Sequence, residues 1–143
     1  MHISQVLRRK GGQVATIQAG ESVRAALAVL AAKSIGALVV SEDGEHIDGI
    51  LSERDLARGF HEHGAALLTK PVSAVMTAEV HTCVPGVSVH ELAQQMTDRR
   101  VRHVPVVVDD RLVGIVSIGD VVKARLDELE AERNQLVDYI QTA

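Results

Sequence analysis

The pattern of apolar and polar positions runs through the chain twice. In the first half, Ser22 precedes apolar residues at helical spacing over residues 23–30, and two short apolar runs flank a turn at residues 42–44. A serine before an apolar helical stripe is typical of a helix N-cap. Short β-rich runs around an Asp/Gly turn are typical of a hairpin. Each copy is therefore predicted as strand, helix, strand, strand, helix.

A shift of 66 residues places the second half of the chain on the first, so that Thr16 meets Thr82. After one extra residue in the first copy, Gly49 meets Gly114. The period is longer than that of solenoid repeats, which indicates two copies of a small domain. We expect the first repeat, with a lead-in helix, at residues 1–69, the second at 70–126, and a helical extension at 127–143.

The extension continues a helix that contains no Gly or Pro from residue 121 to 140. Its apolar residues alternate at spacings of four and three, with Arg133 as the polar member of the stripe. This spacing suits a partner helix, although the stripe could also pack on its own domain. The residues of the stripe are Val122, Leu126, Leu129, Arg133, Leu136 and Ile140.

The composition narrows the classes of function. A formal net charge of -4 argues against nucleic acid as the main partner, because phosphate contacts need basic surface. Phe60 and Tyr139 are the only aromatic residues, so the core must be aliphatic. The single cysteine, Cys83, cannot form an internal disulfide. Because no stretch is apolar enough to cross a membrane and no signal peptide is visible, we expect a cytoplasmic protein.

The informative motif occurs once in each copy, as GILSERD from Gly49 and as GIVSIGD from Gly114. Each has a glycine, two apolar strand residues, a serine, and an aspartate three positions after the serine. A helix that opens at the serine presents free backbone N–H groups and its positive dipole end, which together suit a phosphate. The aspartate lies one turn on and could accept hydrogen bonds from ribose hydroxyls. Plain helix capping explains one such copy equally well, but not the glycine or the duplication.

The duplicated pattern resembles the CBS domain family, named after cystathionine β-synthase. That resemblance implies an α/β fold of two tandem β-α-β-β-α repeats related by pseudo-twofold symmetry, here with a long C-terminal helix. It also implies up to two clefts between the repeats that bind adenosine-containing ligands such as AMP, ATP, NAD or S-adenosylmethionine. The matching segments lie at residues 16, 22–23, 35–40 and 49–55 in the first copy, and at 82, 88–89, 101–106 and 114–120 in the second.

Carried over by resemblance, the motif of one repeat works with the early strand of the other. The site that we call the Ser117 site would comprise Thr16, Ile17, Arg102, His103, Ser117 and Asp120. The site that we call the Ser52 site would comprise Ser52, Arg54, Asp55, Thr82 and Cys83. We expect the Ser117 site to be favoured by phosphorylated ligands, because Arg102 and His103 stand where the first copy has Gly36 and Ala37.

No enzyme signature is present, since both serines lie in Gly-x-x-Ser and no phosphate-binding glycine loop occurs. His61 and His63 are two positions apart, a spacing that does not share a helix face, so no metal site is predicted. The sequence therefore predicts a stand-alone regulatory module that needs no fixed cofactor and responds to an adenosine nucleotide. A homodimer and a regulated protein in trans are the expected partners. The alternative is an interaction module that acts through its C-terminal helix without an obligatory ligand.

Overall fold

The computed structural model describes residues 1–142. Its helices and strands follow the predicted order, except that the first strand of the second copy is reduced to a single bridge. The first copy contains α1 (Ile3–Lys10), β1 (Thr16–Ile17), α2 (Val23–Lys33), β2 (Ala37–Val40), β3 (Gly49–Ser52) and α3 (Glu53–His63). The second contains α4 (Val89–Arg99), β4 (His103–Val108), β5 (Arg111–Ser117) and α5 (Ile118–Thr142), after 3-10 turns at Gly64–Thr69 and Val72–Ala74.

Serine caps start the corresponding helices of the two copies. The Ser22 hydroxyl accepts a hydrogen bond from the N–H of Ala25, and Ser88 does the same for Glu91, each at 3.1 Å. Helices α2 and α4 both end at a residue in the left-handed conformation, Ser34 with φ 52° and Arg100 with φ 55°. The duplication therefore extends to the local backbone geometry as well as to the sequence.

The first strands of the two copies differ. Strand β1 pairs parallel with β2, and β2 pairs antiparallel with β3, to give a three-stranded sheet. In the second copy, β4 and β5 form an antiparallel pair, and the counterpart of β1 is a single parallel bridge between Cys83 and Val106. Pro105 accepts the Cys83 N–H at 3.0 Å through its carbonyl, a contact that does not need the N–H group that proline lacks.

Each of the two hydrophobic cores contains residues from the lead-in segment of the other repeat. Ile3 and Val6 of α1 pack into the core of the second repeat, with Val89 and Leu92. In exchange, Val72 packs into the core of the first repeat. The predicted division at residues 69–70 therefore describes the order along the chain, whereas in space each repeat receives the lead-in segment of the other.

Backbone hydrogen bonds hold both exchanged segments in place. The N–H of Ile3 donates to Val87 O at 2.9 Å, and that of Val89 donates to Met1 O at 2.9 Å. On the other side, Val72 donates to Glu21 O at 2.8 Å. The second lead-in segment is only a 3-10 turn after Pro71, whereas the first is the helix α1.

Helix α5 is the longest element and begins directly at the end of β5. Val121 and Ala124 bury its first turns against the second repeat. The predicted long C-terminal helix is therefore confirmed, and Ala143 lies outside the described residues.

Candidate functional site

Two clefts lie between the repeats, one at each copy of the motif. The Ser52 cleft has a volume of about 660 Å³ and takes side chains from α3, from the segment at 77–81 and from the start of β4. The Ser117 cleft, of about 760 Å³, takes side chains from residues 10–15, the end of α2 and β5. His103 lines both cavities, so the two clefts meet at this side chain.

The Ser52 motif forms a complete capping box at the start of α3. The Asp55 carboxylate accepts the backbone N–H of Ser52 at 2.9 Å, while the Ser52 hydroxyl accepts the N–H of Asp55 at 3.4 Å. The second oxygen of Asp55 accepts the Thr77 hydroxyl at 2.9 Å. Asp55 is only 5% exposed, and its carboxylate joins the helix start to Thr77, which pairs with Ile50 of the adjoining strand β3. The capping interpretation is thus correct, and a ribose contact by Asp55 stays a prediction.

The Ser117 motif forms the same serine–aspartate hydrogen bonds at the start of α5, but its aspartate is also paired with a lysine. The Asp120 carboxylate accepts the N–H of Ser117 at 2.9 Å and also the Lys10 ammonium at 2.6 Å. Lys10 donates in addition to the carbonyl of Ile115 at 2.8 Å. Burial acts to raise the pKa of Asp120, but hydrogen bonds from Lys10 and Ser117 outweigh it and hold the pKa below its usual value.

Lys10 therefore stands between Asp120 and the Ser117 cleft. Its side chain lines that cleft and also a smaller neighbouring cavity of about 260 Å³, and Asp120 opens on the smaller cavity. The bonds from Lys10 and Ser117 both use Oδ2 of Asp120, whereas both oxygens of Asp55 have partners. The two copies of the motif are therefore chemically unequal.

The lining of the Ser52 cleft combines four arginines with three acidic residues, a net formal charge of +1. Arg54 and Arg58 come from α3, whereas Arg100 and Arg102 come from the second repeat at the end of α4 and just before β4. Glu53, Asp55 and Glu79 are the acidic residues of this lining. Guanidinium groups present paired donors that match phosphate oxygens. The arrangement can hold an anionic group between the repeats.

Arg54 already bridges the repeats. Its guanidinium donates to the carbonyl of Arg100 at 2.7 Å, where that carbonyl is left free by the end of α4. The matching position of the second copy is Gly119, which cannot make such a bridge. Likewise Ser34 and Gly36 of the Ser117 cleft stand where the Ser52 cleft has Arg100 and Arg102.

The structure moves Arg102 from the predicted Ser117 site to the Ser52 cleft. The carbonyl of Arg102 accepts the N–H of Ile118, at the start of α5, at 2.8 Å. The Arg102 backbone therefore contacts the helix that opens at the Ser117 motif, while Arg102 lines the Ser52 cleft. Arg102, one of the two residues on which the expected phosphate preference of the Ser117 site rests, is therefore placed at the Ser52 cleft, and the preference itself stays a prediction.

The lining residues that precede the first strand lie two positions before those that the resemblance implies. Thr16 and Ile17 form β1, where Ile17 is part of the first core, and neither lines the Ser117 cleft. The residues that do line it are Gln13, Val14 and Ala15.

The second copy shows the same displacement. Thr82 and Cys83 do not line the Ser52 cleft, which is lined by Glu79, Val80 and His81. Cys83 is instead a core residue, and burial raises the pKa of its thiol to about 11.

Sequence reasoning also missed Thr77 and Lys10. In the shifted alignment, Thr77 falls opposite Gly11 and Lys10 falls opposite Met76, so comparison of the copies gave no signal for either. For His103, burial lowers the pKa despite the nearby Glu53 carboxylate.

A separate polar group lies at the turn between β2 and β3. Ligand atoms of Asp43, Glu45 and His46 lie within 4.8 Å of one another, and all three residues are exposed. Asp43 accepts the backbone N–H groups of Glu45 and His46 at 2.8 Å each. These bonds build the turn itself, so the group is explained without a metal.

The model of the CBS domain family matches residues 3–62 and 72–127. The chain belongs to this family, as its duplicated motif predicts. It is 37% identical to the mitochondrial CBS domain-containing protein CBSX3 of Arabidopsis thaliana, over 97% of this chain and 71% of that protein. The expected cytoplasmic location stays a prediction. No helix among residues 1–142 is long and apolar enough to cross a membrane.

Solved structures of CBS domain proteins share the fold. A CBS-domain-containing protein from Agrobacterium tumefaciens is 44% identical with a TM-score of 0.84, over 87% of this chain and 99% of that one. A CBS domain pair in complex with 5′-methylthioadenosine and S-adenosyl-L-methionine is 24% identical with a TM-score of 0.77, over 87% and 98% of the chains. At that identity the second likeness concerns the fold alone.

Proposed function

We propose that the protein is a regulatory module that binds a phosphorylated adenosine nucleotide, and that the Ser52 cleft is its main site. The observation that carries this proposal is the set of four arginines, drawn from both repeats, around the start of α3. The N–H groups of Ser52, Glu53 and Asp55 at the helix start already have partners, so the guanidinium groups are what favours phosphate oxygens in this cleft. The cavity of about 660 Å³ is in the range of small-molecule sites.

The lining favours a nucleotide with phosphates over other adenosine compounds. A CBS domain pair of the same fold has been solved with 5′-methylthioadenosine and S-adenosyl-L-methionine, which supports an adenosine compound in general. Here, however, Arg100 and Arg102 would face the sulfonium charge of S-adenosylmethionine with charge of the same sign. AMP, ADP, ATP and NAD all supply the anion that these side chains need.

The regulatory step follows from the position of the cleft. Because Arg54 and Arg58 belong to one repeat and Arg100 and Arg102 to the other, a bound phosphate contacts both. A ligand that contacts both repeats favours the relative arrangement in which these contacts form, and so shifts the population of arrangements. A partner protein regulated in trans would respond to that shift, and no catalytic step is required.

Titration calorimetry with ATP, ADP, AMP, NAD, S-adenosylmethionine and adenosine tests the proposal. We expect Arg102→Ala to weaken the binding of the preferred nucleotide by about ten- to a hundredfold, since a charge-assisted hydrogen bond contributes about 1.5–3 kcal/mol. Binding of adenosine should change much less. Arg99→Ala is the matched control, because Arg99 ends α4 outside the cavity lining.

Two results would contradict the proposal. One is the absence of binding by any of these compounds to protein shown to be free of ligand. The other is an equal loss of affinity in Arg99→Ala and Arg102→Ala, which would mean that the lining of the cleft does not hold the phosphates. The first result would favour the alternative, an interaction module that acts through α5.

A further inference from the structure

The second half of helix α5 extends away from the body of the protein. Every residue over 129–142 is exposed. An isolated helix shorter than about 12–15 residues is only marginally stable in water. Packing against a partner would therefore stabilise this segment.

The exposed segment carries an apolar seam that its own domain does not cover. Each apolar side chain of the seam is between 50% and 73% exposed: Val122, Leu126, Leu129, Leu136 and Ile140. Helix α5 contacts the body instead through Val121 and Ala124. At about 100° per residue, the seam lies about a third of a turn away from these two residues. A second helix can therefore reach the seam without meeting the body of the same chain.

We propose that the seam pairs with the same helix of a second copy, in parallel and in register, as a short two-stranded coiled coil. The spacing of four and three residues over about 27 Å is that of coiled-coil core positions. The charges beside the seam indicate that its partner is the same helix of a second copy. The seam is flanked by cations in its first part, at Lys123 and Arg125, and by acids further on, at Glu130 and Glu132.

A parallel pair brings these opposite charges together. In that geometry the residue before one core position faces the partner residue five places further along. Arg125 then faces Glu130 of the partner subunit, and the twofold axis repeats the ion pair. The Arg125 guanidinium already lies along this helix, where it contacts Glu128 at 3.2 Å.

An antiparallel pair of the same helices brings like charges together. The alignment that keeps all six seam positions in contact sets Glu130 beside Glu130 of the partner subunit, and Glu132 beside its own copy. Like charges at these positions repel. It also buries Arg133 against Leu129 of the partner subunit. The charges therefore favour the parallel arrangement.

Arg133 is the polar member of the seam, and the parallel pair accounts for it. Arg133 faces Arg133 of the partner subunit in this layer, and each guanidinium can reach Glu132 of the partner subunit, which flanks the same layer and offsets the repulsion. A single polar residue at a core position lowers the stability of a coiled coil but specifies its register and oligomeric state. Arg133 therefore favours a pair over a larger bundle.

Sedimentation equilibrium and light scattering on the full chain test the pairing. We expect the wild type to form a dimer and Leu136→Glu to raise the dissociation constant at least about tenfold, which corresponds to about 1.4 kcal/mol. Gln135→Glu is the matched control, because it places the same charge on the neighbouring residue outside the seam. Thermal unfolding of each variant checks that the body remains folded.

Crosslinking tests the orientation. In the parallel pair Leu136 faces Leu136 of the partner subunit, so mild oxidation of Leu136→Cys should give a disulfide-linked dimer. Cys83 is buried and should not compete. A monomeric wild type, or a dimer that Leu136→Glu leaves intact, would overturn the pairing. A dimer lost in Leu136→Glu but crosslinked only when Cys replaces both Leu126 and Leu136 would overturn the parallel orientation. Because nucleotide titration reads the Ser52 cleft separately, neither result depends on the proposed function.

Discussion

Lys10 is the side chain that makes the two motifs unequal. Its ammonium group lies 2.6 Å from Asp120, whereas Asp55 has the neutral Thr77 hydroxyl in the corresponding place. The ammonium group stabilises the charge of the carboxylate, and the Lys10 side chain stands between Asp120 and the Ser117 cleft. We therefore expect one nucleotide per chain, in the Ser52 cleft.

Replacement of the ammonium group should open the second site. Lys10→Met frees Asp120 to accept ribose hydroxyls, so calorimetry should show a second, weaker nucleotide equivalent per chain. Arg9→Met is the matched control, since Arg9 contacts Asp127 at 3.2 Å instead. A stoichiometry that stays at one in Lys10→Met would show that Lys10 does not close the Ser117 site.

The same substitution should change the response to acid. The pKa of Asp120 is held below its usual value in the folded state, so this carboxylate contributes stability above its unfolded pKa. That contribution is lost as the pH falls through the folded-state pKa. Without the Lys10 hydrogen bond, burial raises the pKa of Asp120 relative to its value in the wild type. Lys10→Met should therefore reduce the stability that Asp120 contributes near neutral pH, a change that pH-dependent urea unfolding measures.

At the residue scale, the motif serines and aspartates could be predicted, because their spacing is fixed by a helix start. The cleft that each neighbouring side chain faces could not. Arg102 shows why: its backbone carbonyl contacts the start of α5, while its side chain lines the Ser52 cleft. The order of residues along the chain gives no sign of that difference in direction.

At the scale of the elements, close packing explains the glycine of each motif. A Cβ on Gly49 would lie 2.9 Å from the backbone carbonyl of Thr77 and 2.8 Å from Met76 Sδ. A Cβ on Gly114 would lie 2.6 Å from Leu7 Cδ2. In both copies the lead-in segment thus crosses the motif strand at its glycine. A Cβ would clash with backbone only at Gly49, since at Gly114 it would meet only the Leu7 side chain.

The two glycines should therefore differ in their tolerance of alanine. Gly49→Ala must displace backbone and should lower the free energy of unfolding by about 1–3 kcal/mol, as overpacking does. Gly114→Ala needs only a rotation of the Leu7 tip and should cost clearly less. Urea unfolding of both variants makes the comparison, and each serves as the control of the other. Equal losses would show that the backbone contact at Thr77 is not what requires Gly49.

The helices and hairpins were predictable because caps, apolar spacing and turns are local signals. The lead-in contacts were not, because Leu7 and Thr77 reach their glycines from distant parts of the chain. The loss of the first strand in the second copy could not be predicted from the sequence either. The reduction of this strand to the Cys83 bridge has no local signature, since Thr82 and Thr16 are identical in the two copies.

At the scale of the whole molecule, the exchange of lead-in segments joins the two repeats. The sequence placed α1 with the first repeat, yet Ile3 is fully buried in the core of the second. Val72 is fully buried in the core of the first. Neither repeat therefore completes its core from its own consecutive residues. A nucleotide between the repeats would act on a pair that is already interlocked at both lead-ins.

This exchange predicts a crossed pattern of destabilisation. Removal of most of a buried aliphatic side chain costs about 2–5 kcal/mol, and the loss should fall on the core that the side chain fills. Ile3→Ala should therefore reduce the hydrogen-exchange protection of α4 in the second repeat. Val72→Ala, its matched counterpart, should reduce that of α2 in the first. If Ile3→Ala instead loosened α2 and left α4 protected, α1 would belong to the repeat that it precedes, and the interlocked arrangement would be wrong.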